Sequence, residues 1–378
     1  MMRTLLIFLI LSVTFCCSVF AGTTEKDQNH DQIVALLDSS HSMISSDPWS
    51  AMELARKAQL LSNEYHDSLG LVNSGILLGI VNKNLGQFEQ ATNFYLDAYQ
   101  IAELRHDTER MSVCLNNIGS VYQEMGSYSR ALEYYKESLA IEEKAGNKSG
   151  ISLRQYNIGA IYELLDSLDL AAAYYFNSLL AERELNNPDG IFYALYGIGG
   201  VNIRRQIFTE AEKNLQEAFI LAEKEQDIKL QTLAANELGR LFQQWNKPEQ
   251  SIDYYTKALL LADSTEQKSI IKSVYLNLSE IFESRGECVR SLDYLKKFVE
   301  INEEINNIAI STKIEELQTV FQVERKQKEL ELEKTANELK TSEVKRQKNL
   351  RNFLLICIVL FAVLMASNIN RFRKKTKN

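Results

Sequence analysis

Six positions of this chain share one interval. Gly79, Gly119, Gly159, Gly199, Gly239 and Ser279 stand 40 residues apart, with no insertion or deletion between them. Each follows an apolar residue (Leu78, Ile118, Ile158, Ile198, Leu238, Leu278). Twelve residues beyond each comes a small one (Ala91, Ala131, Ala171, Ala211, Ser251, Ser291), and four further on a large one (Tyr95, Tyr135, Tyr175, Leu215, Tyr255, Leu295). One period earlier, Ala51, Ala55 and Ala58 in PWSAMELARKAQLL make a degenerate seventh copy, whose first helix is expected over Gln32–Ser42. Self-similarity at such an interval marks stacked supersecondary units, each unable to bury its apolar face alone.

Twice per copy, apolar residues recur at steps of three and four on one face. They do so at Leu115, Ile118, Val121 and Tyr122, then at Ala131, Tyr134, Tyr135 and Leu139, which predicts two amphipathic helices. The small residues let the two helices cross closely. Gly86, Gly126 and Gly286 mark the turn between them, and Asn246 fills the same slot in the fifth copy. Pro48 and Pro248, five periods apart, open second helices, where a missing N–H costs nothing, and Pro188 falls between copies. An all-α array is therefore predicted over residues 31–308, preceded by a linker at 22–30.

The two ends read differently. Met1–Ala21 has one basic residue, Arg3, then an apolar run, then the small residues Val19 and Ala21, the layout of a secretory signal. Cys16 and Cys17 invite a lipoprotein reading, but Phe15 is a poor neighbour for lipid attachment. Phe353–Asn370 is a run of 18 residues without a charge. At 1.5 Å per residue it reaches roughly 27 Å and can span a bilayer if Arg351 and Arg371 reach the two interfaces. Residues 371–378 carry Arg371, Arg373, Lys374, Lys375 and Lys377, as suits a cytoplasmic end. The expectation is a single-pass protein of a bacterial cytoplasmic membrane, with its helical array in the periplasm. The overall net charge of −8 includes this basic tail, so the remainder is more acidic still and argues against nucleic acid as a partner.

Between array and span, residues 309–352 form a charged neck. Ile314, Leu317 and Phe321 keep a seven-residue rhythm, as do Leu332, Ala336 and Leu339, while Glu324 and Lys328 interrupt it. A coiled coil, which would pair two copies, and a single solvated helix both stay open.

Catalytic chemistry finds no foothold. There is no glycine-rich phosphate loop, no Gly-x-Ser-x-Gly elbow and no HExxH pattern. The glycines of YGIGGVN follow no strand and fall on the repeat's crossing position. His66 and His106 are one period apart in the turn after a second helix, which makes them repeat-turn residues rather than metal ligands. Cys114 and Cys288 lie in distant copies, too far apart for a disulfide. The chain is expected to be no enzyme and to need no cofactor or metal.

The pattern resembles the tetratricopeptide repeat, best at Ile118, Gly119, Tyr122, Gly126, Tyr128, Ala131 and Tyr135. It departs from that family in its period of 40 rather than 34, which implies longer helices, and in lacking the proline that ends the second helix. The resemblance implies a right-handed superhelical solenoid of about seven repeats, with first helices lining a concave face that binds peptides or proteins. Carried across copy by copy, the family's groove positions fall on Asn116, Ser120, Gln123, Tyr156, Glu163, Tyr193, Tyr196, Arg204, Asn236, Arg240 and Gln243. The basic clamp with which some members hold a C-terminal carboxylate is absent. An extended peptide or a sugar-like ligand suits the tyrosines and amides that remain.

The order of signal, solenoid, neck and span is similar to the sensory halves of bacterial membrane histidine kinases and helix-turn-helix regulators, without their output domain. Two functions follow as expectations. In one, the chain is a sensor or regulatory subunit acting with a separate membrane-bound kinase or transcriptional regulator. In the other it is a tethered scaffold that gathers exported proteins without signalling.

Overall fold

The structure, a computed structural model, describes residues 29–375 apart from 264 and 266. The side chains of 356–375, and of several residues between 308 and 327, lie outside that description. The secretory signal at 1–21, most of the linker and the last three residues of the tail fall outside the described residues. So do the side chains that would make the membrane span beyond Leu355, and those of Ile314, Leu317 and Phe321 in the neck. Among the described residues no helix is long and apolar enough to cross a membrane.

The described chain is helical, without strands. Helix α1 covers residues 29–43. It is followed by α2 (Pro48–Glu64), α3 (Ser68–Asn84), α4 (Phe88–Leu104), α5 (Thr108–Glu124), α6 (Tyr128–Ala145) and α7 (Lys148–Leu164). Next come α8 (Leu168–Leu185), α9 (Pro188–Arg204), α10 (Phe208–Lys224), α11 (Ile228–Gln244), α12 (Pro248–Asp263), α13 (Lys268–Ser284) and α14 (Cys288–Lys375). The opening pair α1/α2 is the degenerate copy, and repeats one to six run from α3/α4 to α13/α14. The chain divides into two compact units, Met1–Ile310 and Ser311–Asn378. Helix α14 starts as the second helix of the sixth repeat, well before Ala309. No glycine or proline follows Gly286, so nothing in the sequence interrupts it.

The 40-residue period proves to be two half-periods. From Pro48 to Cys288 each helix starts 20 residues after the one before. Almost every turn between them is closed by one residue in the left-handed region, with φ between 53° and 75°. Glycine holds that place at 86, 126, 146 and 286; His66, His106, Asp166, Asn186, Gln206, Gln226 and Asn246 hold it elsewhere. The two turn histidines owe their position to backbone geometry. The hydrogen bonds are those of a Schellman closure: Gly86 N–H donates to the Lys83 carbonyl (2.9 Å) and Gln87 N–H to the Asn82 carbonyl (2.8 Å). First helices also begin with a cap, since Asp67, Asp107, Asn147 and Asp227 accept backbone N–H groups from α3, α5, α7 and α11.

Within a repeat the two helices meet where a glycine faces a ring. A Cβ added to Gly119 would sit 2.8 Å from the Tyr135 ring, and one added to Gly159 would sit 2.9 Å from Tyr175. Tyr135 and Tyr175 are buried, and their hydroxyls donate to Gln123 (2.9 Å) and Glu163 (3.0 Å), one helical turn past the glycine. Tyr255 repeats this with Gln243 at 2.8 Å. In the first repeat that place belongs to Lys83, a donor only, and the buried Tyr95 hydroxyl has no partner.

Repeats two and three are joined by a buried polar cluster. Arg154 (4% exposed) donates to Ser138 Oγ (2.9 Å) and Ser112 Oγ (3.1 Å), and it pairs with Glu142 (3% exposed) at 3.2 Å. Asn147 donates to the other oxygen of Glu142 at 2.8 Å, and Gly150 leaves room for the carboxylate. Glu182, Asn187 and Gly190 repeat the arrangement one period on, with Ala194 in the place of the arginine.

Two outcomes follow for stability. Gly119→Ala should lower unfolding free energy by about 1–3 kcal/mol, because the Tyr135 ring must shift. Arg154→Ala should cost about 3–5 kcal/mol by leaving the buried Glu142 without its cation, and Glu142→Ala/Arg154→Ala should cost less than the single change. Urea unfolding followed by circular dichroism checks both.

Candidate functional site: the inner helix face

Successive first helices touch one another as well as their own partners, α3 with α5, α7 with α9, α9 with α11 and α11 with α13. They therefore form the tighter, inner layer of the stack. Polar bonds run across this layer from one first helix to the next. Lys83 Nζ reaches Ser120 Oγ (3.1 Å) and Glu124 (3.0 Å). Asn157 Nδ2 donates to Asn116 Oδ1 at 2.8 Å. Arg204 donates to the Glu163 carbonyl (2.9 Å) and to Asp166 (2.7 Å). Gln243 Nε2 lies 3.4 Å from Glu280.

These bonds sort the residues predicted from the sequence. Asn116, Ser120 and Arg204 hold neighbouring repeats together. Gln123, Glu163 and Gln243 receive buried tyrosine hydroxyls. Arg240 is bound by both carboxylate oxygens of the buried Glu237, three residues earlier on α11, so its charge is neutralised locally. Its guanidinium lies over Gly200, with Nη2 3.8 Å from where a Cβ would stand, an ordinary contact. Glu237, Asn157 and Lys83 take part in these bonds although the groove positions do not include them. Only the Glu-x-x-Arg spacing of 237 and 240 could have signalled one of them.

Three of the predicted residues come together differently. Tyr156 packs against Tyr175 (ring centroids 5.2 Å) and edge-on to Tyr193 (6.3 Å), while Tyr193 and Tyr196 both contact Phe192. Tyr193 is 43% exposed and offers an open ring on the inner layer. Burial, then the nearby Glu163 carboxylate, pushes the Tyr156 hydroxyl up to about 12. Burial, then Glu237, raises that of Tyr196 as well. Both therefore stay protonated donors at any physiological pH. Next along, on α11, the buried Asn236 Oδ1 has no hydrogen-bond partner, nor does the buried Gln155 Oε1 on α7.

Among the described residues no group of histidine, cysteine and carboxylate side chains could hold a metal ion. Cys114 and Cys288 are both free, and burial pushes the Cys114 thiol up to about 12.

Models of the tetratricopeptide repeat match residues 72–144, 107–177 and 234–265. No curated protein matches the chain by sequence. Among solved structures, the chain is similar to the apo form of RapI, at 16% identity and a TM-score of 0.59, covering 73% of this chain and 99% of that one. It is similar to the apo form of the quorum sensor NprR from B. thuringiensis, at 20% identity and a TM-score of 0.59, covering 72% and 77%. A third likeness is to the Rap conjugation gene regulator of the plasmid pLS20 in complex with the Phr* peptide, at 19% identity and a TM-score of 0.53, covering 72% and 74%. Identities this low establish the fold alone. Repeat models and solenoid neighbours agree with the glycine-on-ring crossings: this chain carries tetratricopeptide repeats, stacked as a helical solenoid.

Proposed function

We propose that this chain is an exported, membrane-tethered binding module whose inner helix face takes an extended peptide or protein segment. We read it as the sensor or regulatory subunit of a separate signalling protein. One observation carries the binding part: the Tyr193 ring, 43% exposed, stands open on the inner layer, edge-on to Tyr156 of the neighbouring first helix. Aromatic rings give a peptide contact area at low entropic cost, and amide groups fix its backbone. The groups gathered on this face are stacking and hydrogen-bonding groups, which suits binding rather than catalysis. A solenoid neighbour in complex with a peptide, and another described as a quorum sensor, support the same reading.

Export and tethering rest on the hydropathy of residues 1–21 and 353–370 and on the basic residues that follow. The signalling role rests on the order of signal, solenoid, neck and span. Crosslinking in intact cells, followed by mass spectrometry of what is recovered with the full-length protein, tests both. Recovery of a membrane kinase or transcriptional regulator, lost when residues 322–378 are exchanged for an unrelated anchor, is the expected result. Recovery of exported proteins alone, indifferent to that exchange, would contradict the signalling role and indicate a tethered scaffold. In the same experiment Tyr193→Ala should reduce partner recovery roughly tenfold, with the helical circular dichroism signal retained because the ring is half open.

A further inference from the structure

Two directional fasteners recur between the first and second helices of a repeat. One is a face-to-face ring pair: Tyr122 with Tyr134 (5.4 Å), Tyr162 with Tyr174 (5.5 Å), Phe242 with Tyr254 (5.4 Å) and Phe282 with Tyr294 (5.5 Å). The other is the tyrosine hydroxyl bond, Tyr135 to Gln123, Tyr175 to Glu163 and Tyr255 to Gln243. The fourth repeat has neither. Asn202 and Asn214 occupy the ring-pair positions, and Ile203 and Leu215 occupy the hydroxyl-bond positions. The first repeat also lacks both, but it is next to the end of the row and keeps the Tyr95 ring over Gly79.

Helix α9 of the fourth repeat also has three interior glycines, 197, 199 and 200, each unfavourable in a helix interior. The polar side-chain bonds of α9 and its C-cap run to the N-terminal side. Arg204 binds Glu163 and Asp166, Arg205 pairs with Asp169 at 2.8 Å, and Gly197 packs on the Tyr175 ring. Helix α10 is fastened forward instead, by Phe208 stacked on Trp245 at 5.6 Å; its forward ion pair, Lys257 with Glu223 at 3.2 Å, is half-exposed and adds little. Its backward link is the half-exposed pair Arg183–Glu217, worth little in water. Between α9 and α10 lies apolar packing of Ile198, Val201, Leu215 and Ala218, which has no preferred direction.

We propose that the seam between α9 and α10 is the joint about which the solenoid bends, with α9 moving with the repeats before it and α10 with those after it. On the inner face the two blocks meet where Arg240 lies over Gly200, a contact that tolerates sliding because glycine offers no side chain to lock it. The consequence for a ligand rests on the binding reading above: a segment touching Tyr193 on α9 in one block and α11 in the other would set the bend.

Hydrogen exchange on the full-length protein, with no ligand added, tests the joint independently of binding. Amides of α9 and α10 should exchange roughly tenfold faster than those of α7, α8, α11 and α12. Asn202→Tyr combined with Asn214→Tyr, which builds the ring pair of the second and third repeats, should slow them to the level of their neighbours. Equal protection of α9, α10 and their neighbours in the unaltered protein would overturn the proposal, whether or not the double variant folds. So would a folded double variant, with the new pair visible in near-ultraviolet circular dichroism, whose α9 and α10 exchange is unchanged.

Discussion

The contact on which the rest depends is a ring lying flat on a helix backbone. A tyrosine ring can reach the α-carbon of the facing helix only where a glycine removes the Cβ, and the gain is close packing over a wide area. The tyrosine brings its hydroxyl into the core with it. Burying that group without a partner costs about 1–3 kcal/mol, so an acceptor is needed one turn further along the first helix. Gln123, Glu163 and Gln243 meet that need. Where the ring is replaced by Leu215, the acceptor is replaced by Ile203, and both are buried. In repeats two to five the polar or apolar character of this inner-face residue thus follows the far side of the repeat, while in the first Lys83 leaves the Tyr95 hydroxyl unmet.

That dependence changes how the inner face is to be read. A solenoid exposes one long surface, and its polar residues invite assignment to a ligand. Much of this surface is already committed: to hydroxyls below it, to the bonds between neighbouring first helices, or to the Glu237–Arg240 pair. What is left open is narrow, the tyrosines of α7 and α9. Recognition built on rings, with arginines already neutralised, fits a segment held by its backbone and apolar side chains more than one held by its charge.

The fold was legible because the repeat is arithmetic. Forty-residue spacing with no slip, a small residue at each crossing and a turn residue at each end leave little freedom, and the repeats stand where that spacing puts them. The finer 20-residue register was hidden, because the left-handed turn position is held by glycine at only some sites and by histidine, aspartate, asparagine or glutamine at others. The site was less legible. Periodicity tells which residues face inward, but whether Arg204 is free or bound to Asp166 depends on the neighbouring repeat, 38 residues away. The replacement of the ring pair by Asn202 and Asn214 was visible in the sequence, yet had no meaning until the stacked pairs of the other repeats were seen.

The claim that most needs a direct answer is that the inner layer, near α9, is where another chain sits. A photoreactive amino acid placed at Tyr193 on the inner layer, and in a second protein at Ile220 on the exposed side of α10 (63% exposed), would be irradiated in intact cells. The account predicts a discrete covalent adduct from position 193 and none from position 220. An adduct from 220 with none from 193 would place the binding surface on the opposite layer and contradict it.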